Sequence, residues 1–231
     1  MTLKHSPAIS GDGDPALAME PPRSAEEAVT EALRRAIREG ILAPGQRLAQ
    51  ADLAAQLGVS RIPLRDALRR LEAEALVHID GRRGARVAEL SPDDISEIYE
   101  MRIELEGRCV RLAVANLSED DAARLVALGE EMEIRARNPS EGIAARRAFY
   151  AALYDYANRP RMRRVILQLR DNVARYHLLT NRELSRKAHS DLRVAILAGD
   201  ATLADSVLRT HLEEARDDLL ASMKEPEAAT S

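Results

Sequence analysis

Residues 57–77 of the chain read LGVSRIPLRDALRRLEAEALV. A short helix that runs into Gly58 would end there, because glycine readily takes the left-handed conformation that closes many helices, and Ser60 can cap a new one. In that new helix the apolar and the basic positions each recur at the three-to-four spacing of an amphipathic helix: Leu64, Ala67, Leu68 and Leu71 against Arg61, Arg65 and Arg69. The stretch predicts two helices around a tight turn, the second with one face to pack and one free to meet phosphates or bases.

The segments on either side add a helix and a hairpin. Upstream, Ser24 and Glu27 form a capping-box pattern that begins a helix, and Gly40 ends it. Downstream, residues 76–88 place two short apolar strands around a glycine-bearing, arginine-rich turn. A helix, a two-helix unit and a basic hairpin in that order are typical of a winged helix-turn-helix, whose second unit helix enters the major groove of DNA.

From residue 91 onward the pattern is helical without interruption. Capping and breaking signals divide it into about six helices, over approximately residues 92–115, 119–136, 140–157, 160–180, 183–198 and 201–222. The predicted fold is therefore mainly α: a winged helix-turn-helix of three helices and a short β-hairpin, followed by an all-α bundle. The predicted units are a flexible N-terminal arm, a DNA-binding domain, an effector-binding and dimerisation domain and a flexible tail, over residues 1–22, 23–90, 91–222 and 223–231.

Composition narrows the class of protein. The chain has 231 residues, of which 45% are hydrophobic and 31% charged, so it is long enough for two compact domains. Cys109 is its only cysteine, which excludes an internal disulfide and a thiolate zinc site and favours the reducing cytosol. The chain contains no apolar stretch of the roughly 20 residues that span a bilayer. We therefore expect a cytoplasmic protein.

The distribution of charge favours a nucleic-acid partner more than the total does. The formal net charge is −4, but DNA responds only to the local field at the contact surface. Residues 47–86 carry eight arginines against five acidic side chains, a local excess of three positive charges in an otherwise acidic chain.

The 57–77 stretch closely resembles the recognition segment of the GntR family of bacterial transcription regulators. PGQRL at residues 44–48 and GARV at residues 84–87 also look like that family, and the helical remainder resembles its FadR-type (FCD) effector domain, in the six-helix subgroup that is similar to the vanillate regulator. The resemblance covers about residues 24–222. It implies a homodimer that binds double-stranded operator DNA, by default a repressor of a metabolic operon that a small organic acid releases.

The resemblance also implies a set of DNA contacts. In the family, the arginines matching Arg61 and Arg65 contact bases or phosphates, and the glycine matching Gly84 lets the hairpin approach the minor groove. Both arginines lie near the start of the second unit helix, where such a motif presents side chains to base edges. For Arg69 and Arg70 a merely solvated helix face is equally compatible with the sequence. The full expected set is Arg47, Ser60, Arg61, Pro63, Arg65, Arg69, Arg82, Arg83, Gly84 and Arg86.

Two positions depart from the family pattern. Ala75 stands between helix and strand where the family usually has glycine, so we expect that corner to be tighter or differently turned. Ala51 stands where some members carry a DNA-contacting arginine, so the operator sequence is not predicted.

Polar side chains in the C-terminal half fall on faces that helical periodicity turns inward, and we expect an effector site there: Arg102, Arg146, Tyr150, His189 and His211. In the family, a carboxylate and a histidine on the third helix of this domain join two later histidines to bind a divalent metal. His189 and His211 match the later pair, but Arg146 and Tyr150 occupy the third-helix positions. A guanidinium cannot ligate a metal, so zinc is not expected with the usual four ligands.

Our preferred hypothesis is that Arg146 acts as a fixed positive charge that binds the carboxylate or phosphate of an effector, with help from Arg102. In the alternative, Arg102 pairs with Glu106 one turn later and the histidines are ordinary core residues. Two rival functions are an all-helical metal- or histidine-dependent enzyme and a non-specific architectural DNA binder. The sequence has no His-Glu-x-x-His, no glycine-rich phosphate loop and no evident nucleophile with its base, which disfavours the enzyme.

Overall fold

The computed structural model describes residues 24–81, 83–179 and 182–223, and within them the side chains outside residues 139–140 and 177–186. The predicted N-terminal arm, nearly all of the predicted tail and Arg82 of the expected DNA contacts lie outside the described residues. No helix of the described part is long and apolar enough to cross a membrane.

The N-terminal unit is a winged helix-turn-helix. Its helices are α1 (Ala25–Arg38), α2 (Gln50–Leu57) and α3 (Arg61–Ala73), and its strands are β1 (Arg47–Leu48), β2 (Val77–Asp80) and β3 (Gly84–Val87). The strands form one antiparallel sheet in the order β1-β3-β2. A compact aliphatic core joins the elements, built from Val29, Leu33, Ile37, Leu48, Leu64, Leu68, Leu71, Leu76, Val77 and Val87 among others.

The helix ends follow the local signals with one exception. Ser24 and Glu27 form the predicted capping box, and Gly58 closes α2 at φ 65°. Ser60 occupies the N-cap position of α3, but its side chain makes no capping hydrogen bond, so the prediction that it caps the helix is wrong in that respect. A capping side chain usually accepts from the second or third N–H of the helix. The third residue of α3 is Pro63, which has no N–H to donate.

The predicted hairpin is present, and β1 extends it to a third strand. Arg47 lies opposite Arg86, and Leu48 lies opposite Ala85. The backbone N–H of Gly45 donates to the Val87 carbonyl, and that of Val87 donates to the Gln46 carbonyl. A strand of two residues is too short to show an alternating pattern, which is why the sequence did not reveal it.

The C-terminal unit is all-helical, as predicted. Its elements are α4 (Pro92–Ala115), α5 (Glu119–Arg135), α6 (Pro139–Asp155), α7 (Pro160–Val173), a 3-10 helix (Ala174–Leu179), α8 (Arg182–Leu197) and α9 (Ala201–Ser222). The helix predicted over residues 160–180 thus ends as α-helix at Val173 and tightens into the 3-10 segment. Apolar side chains from each of the six α-helices form a second core. The boundary between units near residue 90 stays a prediction.

The end of α7 contacts the DNA-binding unit. Asn172 donates from Nδ2 to the backbone carbonyls of Glu74 (3.0 Å) and Ala75 (3.2 Å), at the corner between α3 and β2. Arg175 donates from Nη2 to the Ala88 carbonyl at 2.6 Å, and the Tyr176 hydroxyl accepts from the Leu90 N–H at 3.0 Å. Ala75 has φ 58°, the left-handed conformation that glycine adopts most easily. The corner therefore has the left-handed backbone conformation typical of glycine, although residue 75 is an alanine.

Candidate DNA-reading face and effector cavity

Helix α3 presents its arginines to solvent because its apolar face is fully used. Leu64, Ala67, Leu68 and Leu71 are buried, while Arg61, Arg65 and Arg69 are exposed. An open groove of about 490 Å³ runs between α3 and the hairpin turn at Gly81 and Gly84. Arg61, Arg65 and Arg69 line it on the helix side. The groove thus brings four of the ten expected DNA contacts together: Arg61, Arg65, Arg69 and Gly84.

Arg61 and Arg65 are free to meet a ligand. Among the described residues neither makes an ion pair, whereas Arg69 lies 3.9 Å from Asp66, and Arg70 lies 3.9 Å from both Glu26 and Glu74. An unpaired surface guanidinium can form the bidentate contacts that guanine and phosphate accept. Arg61 and Arg65 are therefore available for a DNA contact, whereas Arg70 is engaged with two carboxylates.

The sheet carries a separate basic row, because successive strand residues point to opposite faces and Ile79, which follows His78, lines the groove. Arg86 lies directly between Arg47 on one neighbouring strand and His78 on the other, and all three are exposed. Like charges opposite one another destabilise a sheet, so the Arg47–Arg86 pair favours an anionic partner. Arg86 also donates to the Gly45 carbonyl at 3.3 Å.

Three further expected DNA contacts lie within the described residues: Ser60, Pro63 and Arg83. Ser60 and Arg83 are exposed, and Pro63 is partly buried in the first turn of α3. The backbone N–H of Arg83 donates to Asp80 Oδ1 at 3.3 Å across the hairpin turn, and Gly84 has φ 81°, which makes glycine the favoured residue there.

Two exposed residues of the DNA-binding unit were not predicted. Ile62 is 73% exposed at the start of α3, next to the groove, and its apolar side chain suits contact with a thymine methyl group. His78 points outward from β2. Both carry a sequence signal, since Ile62 breaks the polar face of α3 and His78 alternates with two apolar strand residues.

The C-terminal helices bury the expected polar cluster. Arg102 is only 2% exposed and donates from Nε to Glu106 Oε1 at 2.7 Å. Glu106 also accepts from Arg170 Nη1 and from the Tyr154 hydroxyl, both at 2.5 Å to Oε2. Burial alone would raise the pKa of Glu106, but the guanidiniums of Arg170 and Arg102 outweigh it and hold that pKa below its ordinary value. The Arg102–Glu106 pair of the alternative reading is therefore present.

Arg170 is the main member of this cluster that sequence reasoning missed. Its guanidinium carbon lies 3.5 Å from the centre of the Tyr150 ring, a cation–π contact, while its Nη1 binds Glu106. It follows Ile166 and Leu167 at helical spacing on α7, and all three are buried. The inward periodicity that singled out Arg102 would have found Arg170 as well.

His189 and His211 lie together beside Tyr150. The two imidazole ring centres are 5.3 Å apart, and the Tyr150 ring centre is 6.0 Å from that of His189. Burial, followed by the positive charge of Arg146, lowers the pKa of His211 to about 3 and that of His189 well below its ordinary value. Both histidines are therefore neutral at physiological pH, in a region of positive potential.

This donor set does not fit a divalent metal. Within the described residues no group of three histidine, cysteine or carboxylate side chains is placed to hold one. The third-helix positions hold the Arg146 cation and the Tyr150 phenol, whose pKa is raised by burial so that it stays protonated. The positive potential that lowers the histidine pKa values would also repel a metal ion.

Several buried polar atoms of the cluster have no hydrogen-bond partner among the described residues: Tyr99 Oη, Arg102 Nη1, Arg146 Nε and His189 Nε2. Buried polar groups are almost always satisfied in folded proteins, by water or ligand if not by protein. Most of these atoms are donors or can donate, so the site calls for an acceptor, and its cations call for an anion.

The two regions define a helix-turn-helix DNA-binding protein with an attached helical domain that encloses a polar, cationic site. Comparison with known proteins agrees with this class. The family model described as "Bacterial regulatory proteins, gntR family" matches residues 25–87, and the FCD domain matches residues 97–214. The chain belongs to the GntR family of bacterial transcriptional regulators, in the branch with an FCD domain. Its domains are those of regulators rather than of an enzyme.

Individual relatives have the same character. The uncharacterized HTH-type transcriptional regulator BphR of Paraburkholderia xenovorans is 33% identical over 204 residues, which cover 83% of each chain. The similarly described YdhC of Bacillus subtilis is 31% identical over 144 residues, 61% of this chain and 64% of YdhC, so the chain spans a little under two thirds of that relative. The solved structure of Escherichia coli McbR matches with a TM-score of 0.77 and 28% identity, over 87% of this chain and 99% of McbR.

Proposed function

We propose that the protein is a sequence-specific regulator that binds operator DNA through α3 and the hairpin, represses a metabolic operon and releases DNA when its C-terminal domain binds a small carboxylate-type effector. The observation that carries the DNA proposal is that Arg61 and Arg65, exposed beside the groove between α3 and the hairpin, make no ion pair within the part of the chain that the structure describes. In a cytoplasmic homodimer, two such helices would meet successive major grooves about 34 Å apart on a near-palindromic site.

The test of DNA recognition is capture of genomic fragments by the tagged full chain at physiological salt, followed by sequencing. We expect a small set of fragments that share a near-palindrome, bound at least about 1,000-fold more tightly than unrelated duplex. A matched control is Arg108→Gln, which changes an exposed arginine on α4 and should recover the same fragments. Equal recovery of all sequences with a steep salt dependence would favour the architectural binder instead.

The effector proposal rests on Arg146. Arg102 and Arg170 share the carboxylate of Glu106, whereas Arg146 makes no ion pair with any described residue and its Nε is buried without a partner. Burial is the largest cause that lowers the pKa of Arg146, and the neighbouring cations lower it further. A carboxylate bound at Arg146 would remove that penalty and supply an acceptor to the unpaired donors nearby.

The effector proposal is tested by thermal unfolding of the full chain with a panel of mono- and dicarboxylates and, separately, with zinc. We expect at least one carboxylate to raise the unfolding temperature and zinc to have little effect. Arg146→Ala should lose the carboxylate response, while exposed Arg108→Ala should keep it. An equal response in Arg146→Ala, or unfolding caused by a chelator, would overturn the anion site.

A further inference from the structure

A second cationic site lies between the two units of the chain. A crevice of about 20 Å³ opens where the end of α1 meets α6 and α7. Four of its lining side chains are arginines, and one is a carboxylate: Arg38, Arg146, Arg147, Arg170 and Asp171. That volume admits one oxygen-sized atom, so a single oxygen of a larger group would enter the crevice. The charge of the walls decides which kind of group it would be.

Arg38 is a buried member of this set with two nitrogens unsatisfied within the described residues. It ends α1, is 5% exposed, and neither its Nε nor its Nη1 makes a hydrogen bond among the described residues. Its closest carboxylate oxygen is Asp171 Oδ1, 3.5 Å from Nη1. That carboxylate is shared, because Arg147 donates from Nε to both of its oxygens at 3.0 and 3.2 Å.

Charge counting over this region gives a clear excess of cations. Behind the crevice, Arg170 and Arg102 share Glu106, and Arg146 has no ion pair within the described residues. Five guanidiniums therefore surround two carboxylates: Arg38, Arg102, Arg146, Arg147 and Arg170 against Glu106 and Asp171. Buried charges without counter-charges are costly enough that proteins rarely retain them unless an anion completes the site.

We infer that this crevice is an anion site that takes an oxyanion group, a carboxylate or phosphate, between Arg38 of the DNA-binding unit and Arg146 of the C-terminal unit. The bound group accepts hydrogen bonds from the unpaired nitrogens of both arginines. It thereby joins α1 to α6, beside the Asn172 contacts to the corner after α3. The inference shares Arg146 with the proposed effector site and so rests on it in part, but it also depends on Arg38 and Asp171, and variants of these two residues separate the two proposals.

The test is calorimetric titration of the full chain with inorganic phosphate in chloride buffer at constant ionic strength. Arg38→Gln should weaken phosphate binding at least about tenfold, the value of a hydrogen bond to a charged group. Asp171→Asn should tighten it several-fold, because the competing carboxylate is gone. Arg35→Gln, an exposed arginine on α1, should match the wild type. Weak binding at the α3 arginines is common to all four proteins and cancels.

Unchanged phosphate affinity in Arg38→Gln, or no tightening in Asp171→Asn, would overturn the site. If Arg38→Gln does not fold, Asp171→Asn decides alone. A second titration with succinate distinguishes the source of the oxyanion. If succinate binding is lost in Arg38→Gln but kept in His211→Gln, the crevice binds a free ion. If binding is lost in both variants, the crevice binds the acidic end of a larger ligand that also contacts the histidines. Either result supports the site, and succinate binding that persists in Arg38→Gln contradicts it.

Discussion

The arginines of α3 and those of the C-terminal core are the same residue in opposite settings. Arg61 and Arg65 are exposed and without an ion pair among the described residues, at little cost because water solvates them. Arg102 and Arg170 are buried and bonded to one carboxylate, Glu106. The surface pair is available for a partner that arrives and leaves, whereas the buried pair is part of the fold. Arg146 lies between the two cases, since it is half-buried and makes no ion pair with a described residue.

The largest effect should come from removing the shared counter-charge. Glu106→Gln leaves two buried guanidiniums without their carboxylate, and we expect a loss of about 3 kcal/mol or more in the free energy of unfolding, measured by urea denaturation. Glu104→Gln, an exposed carboxylate on the same helix that pairs with Arg209, should leave the stability nearly unchanged. Equal stability of the two variants would mean that the buried arginines do not depend on Glu106.

Acid should destabilise the C-terminal unit through its buried histidines. The pKa of His211 is lowered to about 3 from an ordinary value of 6.5, first by burial and then by Arg146, so below pH 6.5 protons bind the unfolded chain and not the folded one. Stability therefore falls as the pH drops from about 6.5 toward 3. At pH 5 the loss from His211 is about 2 kcal/mol.

The pH effect is measured by urea denaturation at pH 7.5 and pH 5. His211→Gln should show a smaller loss than the wild type, and Arg146→Gln should also reduce it because the opposing charge is removed. His78→Gln, on the exposed face of β2, should keep the wild-type loss. If His211→Gln loses as much stability between pH 7.5 and pH 5 as the wild type does, protonation of His211 is not the cause of the loss.

The smallest effect concerns Ala75, at the corner between α3 and β2 that Asn172 of α7 contacts. Ala75 has φ 58°, so Ala75→Gly should relieve backbone strain and stabilise the protein by about 1 kcal/mol. Ala73→Gly, two residues earlier in α3, should destabilise it by about the same amount. Thermal unfolding measures both variants. A loss of stability in Ala75→Gly would indicate that the alanine methyl group contributes packing that outweighs the strain.

The positions of the exposed arginines were predictable from the sequence, and those of the buried arginines only in part. Periodicity placed the α3 arginines correctly because one helix face decides their exposure. It also turned Arg102 and Tyr150 inward. It did not reveal that Glu106 is shared by Arg170, 64 residues away, or that Arg38 meets Asp171, because such pairs are set by how helices pack. The two-residue strand β1 was missed for lack of length.

The most direct test of the account is the affinity of the Arg61→Gln/Arg65→Gln double variant for the operator recovered by genomic capture, measured by fluorescence anisotropy. We expect at least about 100-fold weaker binding than the wild type, since each arginine contact to a base is worth about 1–3 kcal/mol, with an unchanged unfolding temperature. Wild-type affinity in the double variant would contradict the claim that α3 reads DNA through these two side chains.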